Sequence, residues 1–160
     1  MEITSAQQAG YDPRILAFGR LQGAANRLEY LLGRELEREC GITHLMYEVL
    51  LIVGRAGPDG LTMRSIAQEQ VLTTGGATRL VDRMAALDLV TRTPSPRDGR
   101  VQLVRLTPLG EETTVRASRL HVENIEQFFF RPVPAEHRER FADDLRALSH
   151  AARDALPRLR

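Results

Sequence analysis

Long apolar runs, lysine and a second cysteine are all missing from this chain of 160 residues. No stretch approaches the roughly 20 consecutive apolar residues that a membrane helix needs, and the first residues carry no signal-peptide pattern. A cytoplasmic location is therefore expected, with no membrane partner. The single cysteine, Cys40, excludes a disulfide within the chain and any cysteine-rich zinc site. All 22 basic residues are arginine. Arginine suits bidentate contacts to phosphate and guanine, but the base composition of the coding DNA explains the bias equally well, so it assigns no function. Repeats and low-complexity segments are also absent. Gly75-Gly76 lacks the lysine and the spacing of a phosphate-binding loop. His44, His121, His137 and His150 lie on different elements without ligand-like i,i+4 pairs. His121 with Glu123 or Glu126 is the nearest approach to a metal set, and a solvated helix face is the simpler account of it. No nucleophile–base pair follows from spacing. Neither an enzyme nor a cofactor nor a metal is expected.

What remains is ordinary in bulk: 42% hydrophobic and 27% charged, enough for a core within one domain or one domain with helical extensions. The informative stretch is Leu61–Glu112. Thr62–Gln70 and Thr73–Leu87 are two short helical patterns joined at Val71-Leu72. Val90–Pro94 and Val101–Thr107 are strand-like runs around Ser95-Pro96-Arg97-Asp98-Gly99-Arg100. Helix, turn, helix and then a β-hairpin is the layout of a winged DNA-binding domain.

On a 3.6-residue period Ala77, Leu80, Val81, Met84 and Leu87 share one face of the second helix. Gly75, Thr78, Arg79, Asp82 and Ala86 share the other, with Thr74 and Arg83 on its edges. The first face suits a core. The second is small, hydroxylated or basic and suits close approach to a polyanion. Thr73 is placed to cap the helix, whose first-turn N–H groups and dipole would then meet phosphate. Gly75 and Gly76 each cost roughly 1 kcal/mol of helix propensity against alanine. Absence of a side chain where backbone meets DNA is one return for that cost. An outer face that is merely solvated is the plainer alternative. Asp82 sits awkwardly on a DNA-facing surface, and orienting Arg79 or Arg83 is the role that suits it.

The hairpin tip adds Arg97 and Arg100 around Asp98-Gly99, a pair that favours a tight turn. Asp98 can hold an arginine by a charge-assisted hydrogen bond, leaving Arg97 or Arg100 to run along a minor groove, whose narrow form attracts arginine. A solvated hairpin tip is the alternative. Net charge is only +1, but distribution decides. Between Thr62 and Thr107 seven arginines face four acidic residues, a net +3 that leaves −2 for the rest of the chain. The positive field is concentrated at the motif.

The flanks are helical. Met1–Gly10 has no periodic pattern and is expected to be a mobile lead. Asp12-Pro13 is a cap followed by proline at the first helical position, opening a long helix with Leu21, Ala24, Ala25, Leu28, Leu31, Leu32 and Leu36 at helical spacing, stopped by Gly41. That is more apolar surface than one small domain covers, which suggests a partner chain. Thr43 opens a helix with Leu45, Val49, Leu50 and Val53 inward; Pro58-Asp59-Gly60 turns; Leu61-Thr62 reads as a short strand beside the wing. Thr107-Pro108 repeats the cap-and-proline signal for a helix carrying Val115, Leu120, Val122, Ile125, Phe128 and Phe129, which Pro132 and Pro134 break. The last helix, about Ala135–Leu156, aligns Phe141, Leu145, Leu148, Ala152 and Leu156. Phe128-Phe129-Phe130 cannot all face inward, and exposed aromatic patches mark interfaces.

The run Leu72–Met84, then Leu89-Val90, Asp98-Gly99-Arg100 and Val104-Arg105-Leu106-Thr107-Pro108-Leu109-Gly110 resembles the MarR family of bacterial winged-helix transcriptional regulators. The wing signature of that family, Asp-x-Arg and then a strand ending Leu-Thr-x-x-Gly, is complete here. The resemblance is specific in the middle third and architectural at the two ends. It implies a mainly α fold with a small β-hairpin wing, in which residues 1–42 and 111–160 form a helical dimerisation layer around a winged helix-turn-helix at 43–110. It also implies repression relieved by a small molecule, often an aromatic or phenolic anion, bound between the two layers. Tyr30, His44 and Tyr47 lie near that junction, where ordinary core and capping roles account for them equally well. Some members of the family sense oxidants through a cysteine near the start of the first helix. Cys40 stands at that helix's end, where a buried inert thiol is the default.

The expected partners are double-stranded DNA, a second copy of the chain and a small aromatic or phenolic effector. A homodimer placing two Thr73–Leu87 helices in successive major grooves predicts an inverted-repeat operator. Thr78 and Arg79 would meet base edges; Thr73, Thr74 and Arg83, phosphates; Gly75, backbone at close range; Arg97 and Arg100, the minor groove. Two other classes stay open: a winged module for protein contact alone, and a helical enzyme working through His44 or His121.

Overall fold

Side-chain oxygens set where most of the helices begin. The computed structural model describes residues 3–156. Ser5 accepts from the Gln8 amide to start α1 (Ala6–Tyr11), and Asp12 accepts from the Arg14 amide to start α2 (Pro13–Cys40). Thr43 does the same for α3 (His44–Ala56), and Thr62 for α4 (Met63–Glu69). Thr73 opens α5 (Thr74–Ala86), and Thr107 opens α6 (Pro108–Ile125). Each such cap satisfies an amide that has no partner inside the helix. α2 ends at Gly41, whose φ of 69° is the left-handed conformation that costs glycine least.

The sheet is three-stranded in the order β1 (Leu61–Thr62), β3 (Gln102–Leu106), β2 (Val90–Pro94), antiparallel throughout. Leu61 pairs with Val104 and Val90 with Leu106, so the strand expected at Leu61-Thr62 forms the far edge of the wing. The core lies between α3, α4, α5 and this sheet. Leu36, Met46, Leu50, Ile66, Met84 and Val104 are fully buried there. Each large aliphatic among them contributes roughly 1.5–3 kcal/mol by leaving water. α2 packs on α3 and α6 through its C-terminal half, where Leu32 and Leu36 are buried.

The motif Leu-Thr-x-x-Gly has a local physical reason. The Thr107 hydroxyl donates to the Asp88 carbonyl and accepts from the Gly110 amide at 2.9 Å, while its own amide donates to the Leu89 carbonyl at 3.2 Å. A β-carbon on Gly110 would stand 1.9 Å from that Leu89 carbonyl oxygen. The first turn of α6 therefore presses on the turn after α5, and only glycine permits the approach.

Several expectations fail. Residues 5–11 are not a featureless lead, because Ser5 nucleates a short helix that the absence of an apolar stripe concealed; Met1 and Glu2 lie outside the described residues. On α2, by contrast, Leu21 and Leu31 are exposed, in keeping with an apolar stripe larger than one domain covers. Leu87 is 49% exposed, since α5 ends at Ala86 and the chain turns there through Asp88, whose φ is 57°. Val115 and Val122 are exposed as well. The inward face of α6 is Gly110, Thr113, Ala117 and His121, a stripe at helical spacing made of small and polar residues. After α6 the chain makes one π-helical turn, Glu126–Phe130, that half-buries all three phenylalanines, with Phe129 packed on Phe130 and Phe141. The last helix opens with a 3-10 turn at Ala135–His137 and continues as α7 (Arg138–Ala155), on which no described residue is buried. Leu148 and Leu156 are about half exposed.

Candidate nucleic-acid interface

Two surfaces meet the requirements set by the sequence. On α5 the buried residues are Ala77, Leu80, Val81 and Met84. The opposite face presents Thr74, Gly75, Arg79, Asp82 and Arg83 to solvent, with Thr78 half-buried. The Thr73 hydroxyl accepts from the Gly76 amide at 3.1 Å, which leaves its proton available to an outside acceptor. The Thr78 hydroxyl donates back to the Thr74 carbonyl at 2.9 Å. A β-carbon on Gly75 would meet nothing within 4 Å, so the first turn of α5 is open on that side.

The second surface is the tip between β2 and β3. Pro96, Arg97, Asp98, Gly99 and Arg100 are exposed. The loop is closed by the Ser95 amide donating to Val101 at 2.7 Å and the Val101 amide donating to Asp98 at 2.9 Å. Asp98 accepts from the backbone amide of Arg100 at 3.0 Å. It shapes the tip through the main chain, where the sequence reading put it on an arginine side chain.

Six of the seven arginines of the motif divide by what holds them. Arg105 donates to the Pro58 carbonyl at 2.6 Å, to the Asp59 carbonyl at 3.4 Å and to the Thr93 hydroxyl, fastening the wing to the turn before β1. Arg92 pairs with Asp82, so Asp82 orients neither Arg79 nor Arg83. Among the described residues Arg79, Arg83, Arg97 and Arg100 engage no carboxylate through their side chains. These four remain on the open surface.

At the junction of α2, α3 and α6 the structure gathers a different set from the one expected. Tyr30 is 62% exposed and receives the Arg34 guanidinium at 3.3 Å, away from the others. His44 and Tyr47 do come together, and the third member is His121. Its ring lies 5.2 Å from that of His44 and 4.8 Å from that of Tyr47. Tyr47 donates to the Ser118 hydroxyl at 3.0 Å, and His44 Nδ1 meets Glu29 at 3.1 Å. His121 is 7% exposed, not a solvated residue, and its Nδ1 is buried without a protein partner. Sequence spacing gave no signal for it, because its neighbours come from a helix more than 70 positions earlier. Among the described residues no cluster of three or more His, Cys, Asp or Glu could hold a metal.

Burial holds the His121 imidazole below its ordinary pKa of 6.5, and the charge of nearby His44 pushes the same way. Glu48 in the same region is raised by burial, an effect that His44 offsets in part. The folded His121 binds a proton less readily than the unfolded one. Its contribution is thus complete above 6.5 and declines as pH falls through that value. The melting temperature should drop between about pH 7 and pH 5, and the drop should be smaller in His121→Asn. Equal drops in both proteins would show that other groups govern the acid side.

Residues 41–101 match the family model described as MarR family. Sco3205 of Streptomyces coelicolor, a MarR family regulator solved in complex with DNA, is 24% identical with a TM-score of 0.79, covering 94% of this chain and 91% of that one. PcaV, a transcriptional regulator of the same organism, is 26% identical at a TM-score of 0.65, covering 84% and 96%. CouR of Rhodococcus jostii RHA1, solved bound to p-coumaroyl-CoA, is 22% identical at 0.70, covering 86% and 92%. No curated protein matches the chain in sequence. Over residues 41–101 the chain is thus similar to the MarR family, and its fold is the winged-helix fold of these regulators.

Proposed function

We propose that the protein is a sequence-specific DNA-binding transcriptional regulator that works as a homodimer, and that it is not an enzyme. The observation that carries this reading is the division of the arginines: four on the outer face of α5 and the wing tip are left to an outside anion, while Arg92 and Arg105 fasten the wing. α5 lies in the major groove, with Thr78 and Arg79 toward base edges and Thr73, Thr74 and Arg83 toward phosphates. Arg97 and Arg100 follow the minor groove from a tip that Asp98 shapes. The solved complex of Sco3205 with DNA, on the same fold, supports the assignment.

Residues 1–42 and 111–160 supply the dimer layer around the winged domain at 43–110. Exposed Ile15, Leu16, Phe18 and Leu21 on α2, together with the uncovered apolar edge of α7, favour a second copy of the chain as their cover. Twofold symmetry then asks for half-sites about 34 Å apart. A small aromatic or phenolic effector acts from the junction that holds His44 and Tyr47, by favouring a half-site separation that DNA disfavours. The p-coumaroyl-CoA bound by CouR is one such ligand in a protein of this fold. The site of action is the cytoplasm, where DNA is; no described helix is long and apolar enough to cross a membrane.

Gly75→Ala separates this reading from a merely solvated helix face. The new methyl meets nothing in the chain, so the helix should gain up to about 1 kcal/mol. Binding to an inverted-repeat duplex from the protein's own promoter should nevertheless weaken, because the methyl stands where DNA backbone approaches. A protein that is more stable and binds at least as well would refute the close approach at α5.

A further inference from the structure

The carboxylate of Asp82 poses a problem for any surface meant for DNA. It lies on the outer face of α5, one turn beyond Thr78, and its side chain is more than half exposed. Left alone it would repel phosphate from the element that must approach it most closely. The structure supplies its counter-charge from the wing: Arg92, at the centre of β2 and paired across the sheet with Val104, reaches over to the Asp82 carboxylate.

Stability gives no reason for this arrangement. An ion pair with a partner this exposed contributes little. Arg92 also buries its Nε without a partner, which carries a penalty of its own. The contact joins the outer face of α5 to the strand that carries the wing tip.

We propose that Arg92 is a positioning residue for DNA recognition: it acts through Asp82, cancelling that charge on the α5 face, without itself touching DNA. The role rests on the DNA-binding reading above. With that carboxylate neutralised, α5 and the hairpin present their arginines as one surface.

The test is a double-mutant cycle read by affinity for the operator duplex, with thermal melting alongside. Arg92→Gln, which keeps the stem but loses the charge, should weaken binding about tenfold or more while the melting temperature stays close to that of the parent. Adding Asp82→Asn should restore affinity to within about threefold, because the uncompensated carboxylate is gone. Asp82→Asn alone should bind no more weakly than the parent. Arg92→Gln binding like the parent would overturn the proposal. So would a double variant as weak as Arg92→Gln, which would place Arg92 on the DNA or in the fold alone. If Arg92→Gln does not fold, Asp82→Asn decides: binding equal to or tighter than the parent supports the role, and a loss of tenfold or more overturns it. A parent that shows no salt-dependent duplex binding would instead refute the reading on which this one stands.

Discussion

Alanine at position 110 should destabilise the fold by about 3 kcal/mol, the upper end of what overpacking usually costs. The added β-carbon would sit 1.9 Å from the Leu89 carbonyl oxygen. The neighbour is backbone, not the end of a flexible side chain, so no rotamer change relieves it. Either α6 or the turn after α5 must move. Movement of α6 would stretch the Gly110 amide away from the Thr107 hydroxyl, which also holds the Asp88 carbonyl. A chain of this size loses roughly 2–4 °C of melting temperature per kcal/mol. The comparison requires equal protein concentrations, because the proposed dimer would make the melt depend on concentration. A Gly110→Ala protein melting with the parent would mean that α6 docks with more slack than the geometry allows.

Arg79→Ala and Arg100→Ala should fail in different ways. Arg79 stands on the exposed face of α5, one residue beyond Thr78. If its fork is bidentate to guanine, truncation costs about 1–3 kcal/mol at one base pair and leaves other sequences nearly untouched. The ratio of operator to scrambled duplex affinity should therefore collapse. Arg100 stands on the wing tip, and the contact proposed for it is to the negative potential of the groove. Its loss should weaken binding to all sequences and reduce the salt slope by about one unit per contact removed. Binding by both variants that matches the parent in affinity, specificity and salt slope would remove these residues from the interface.

Most of the element order could be read from residues that act on their immediate neighbours. Asp12, Thr43, Thr62, Thr73 and Thr107 each cap the helix that the sequence places after them. Ala77, Leu80, Val81 and Met84 declare the buried face of α5 by period alone. What stayed hidden depends on residues far apart in the chain. The inward face of α6 is Gly110, Thr113, Ala117 and His121, so a search for hydrophobic stripes picks Val115 and Val122 instead, and both are exposed. His121 is buried by rings on α3, and Asp82 is paired by a strand ten positions later. Tyr30 and His44 both belong near the junction of the two layers, yet the place of Tyr30 on α2 turns it to solvent beside Arg34. Local capping and period thus recover the elements, while the charge pairing that sorts the motif's arginines emerges only once the wing has folded against α5.

The central claim is that two α5 helices, braced by a shared helical layer, fit one face of duplex DNA. Sedimentation of the full chain with an inverted-repeat duplex, repeated across a range of salt concentrations, tests it most directly. Two chains should travel with each duplex, and the affinity should fall steeply as salt rises. A complex of one chain per duplex, or binding indifferent to salt, would contradict it.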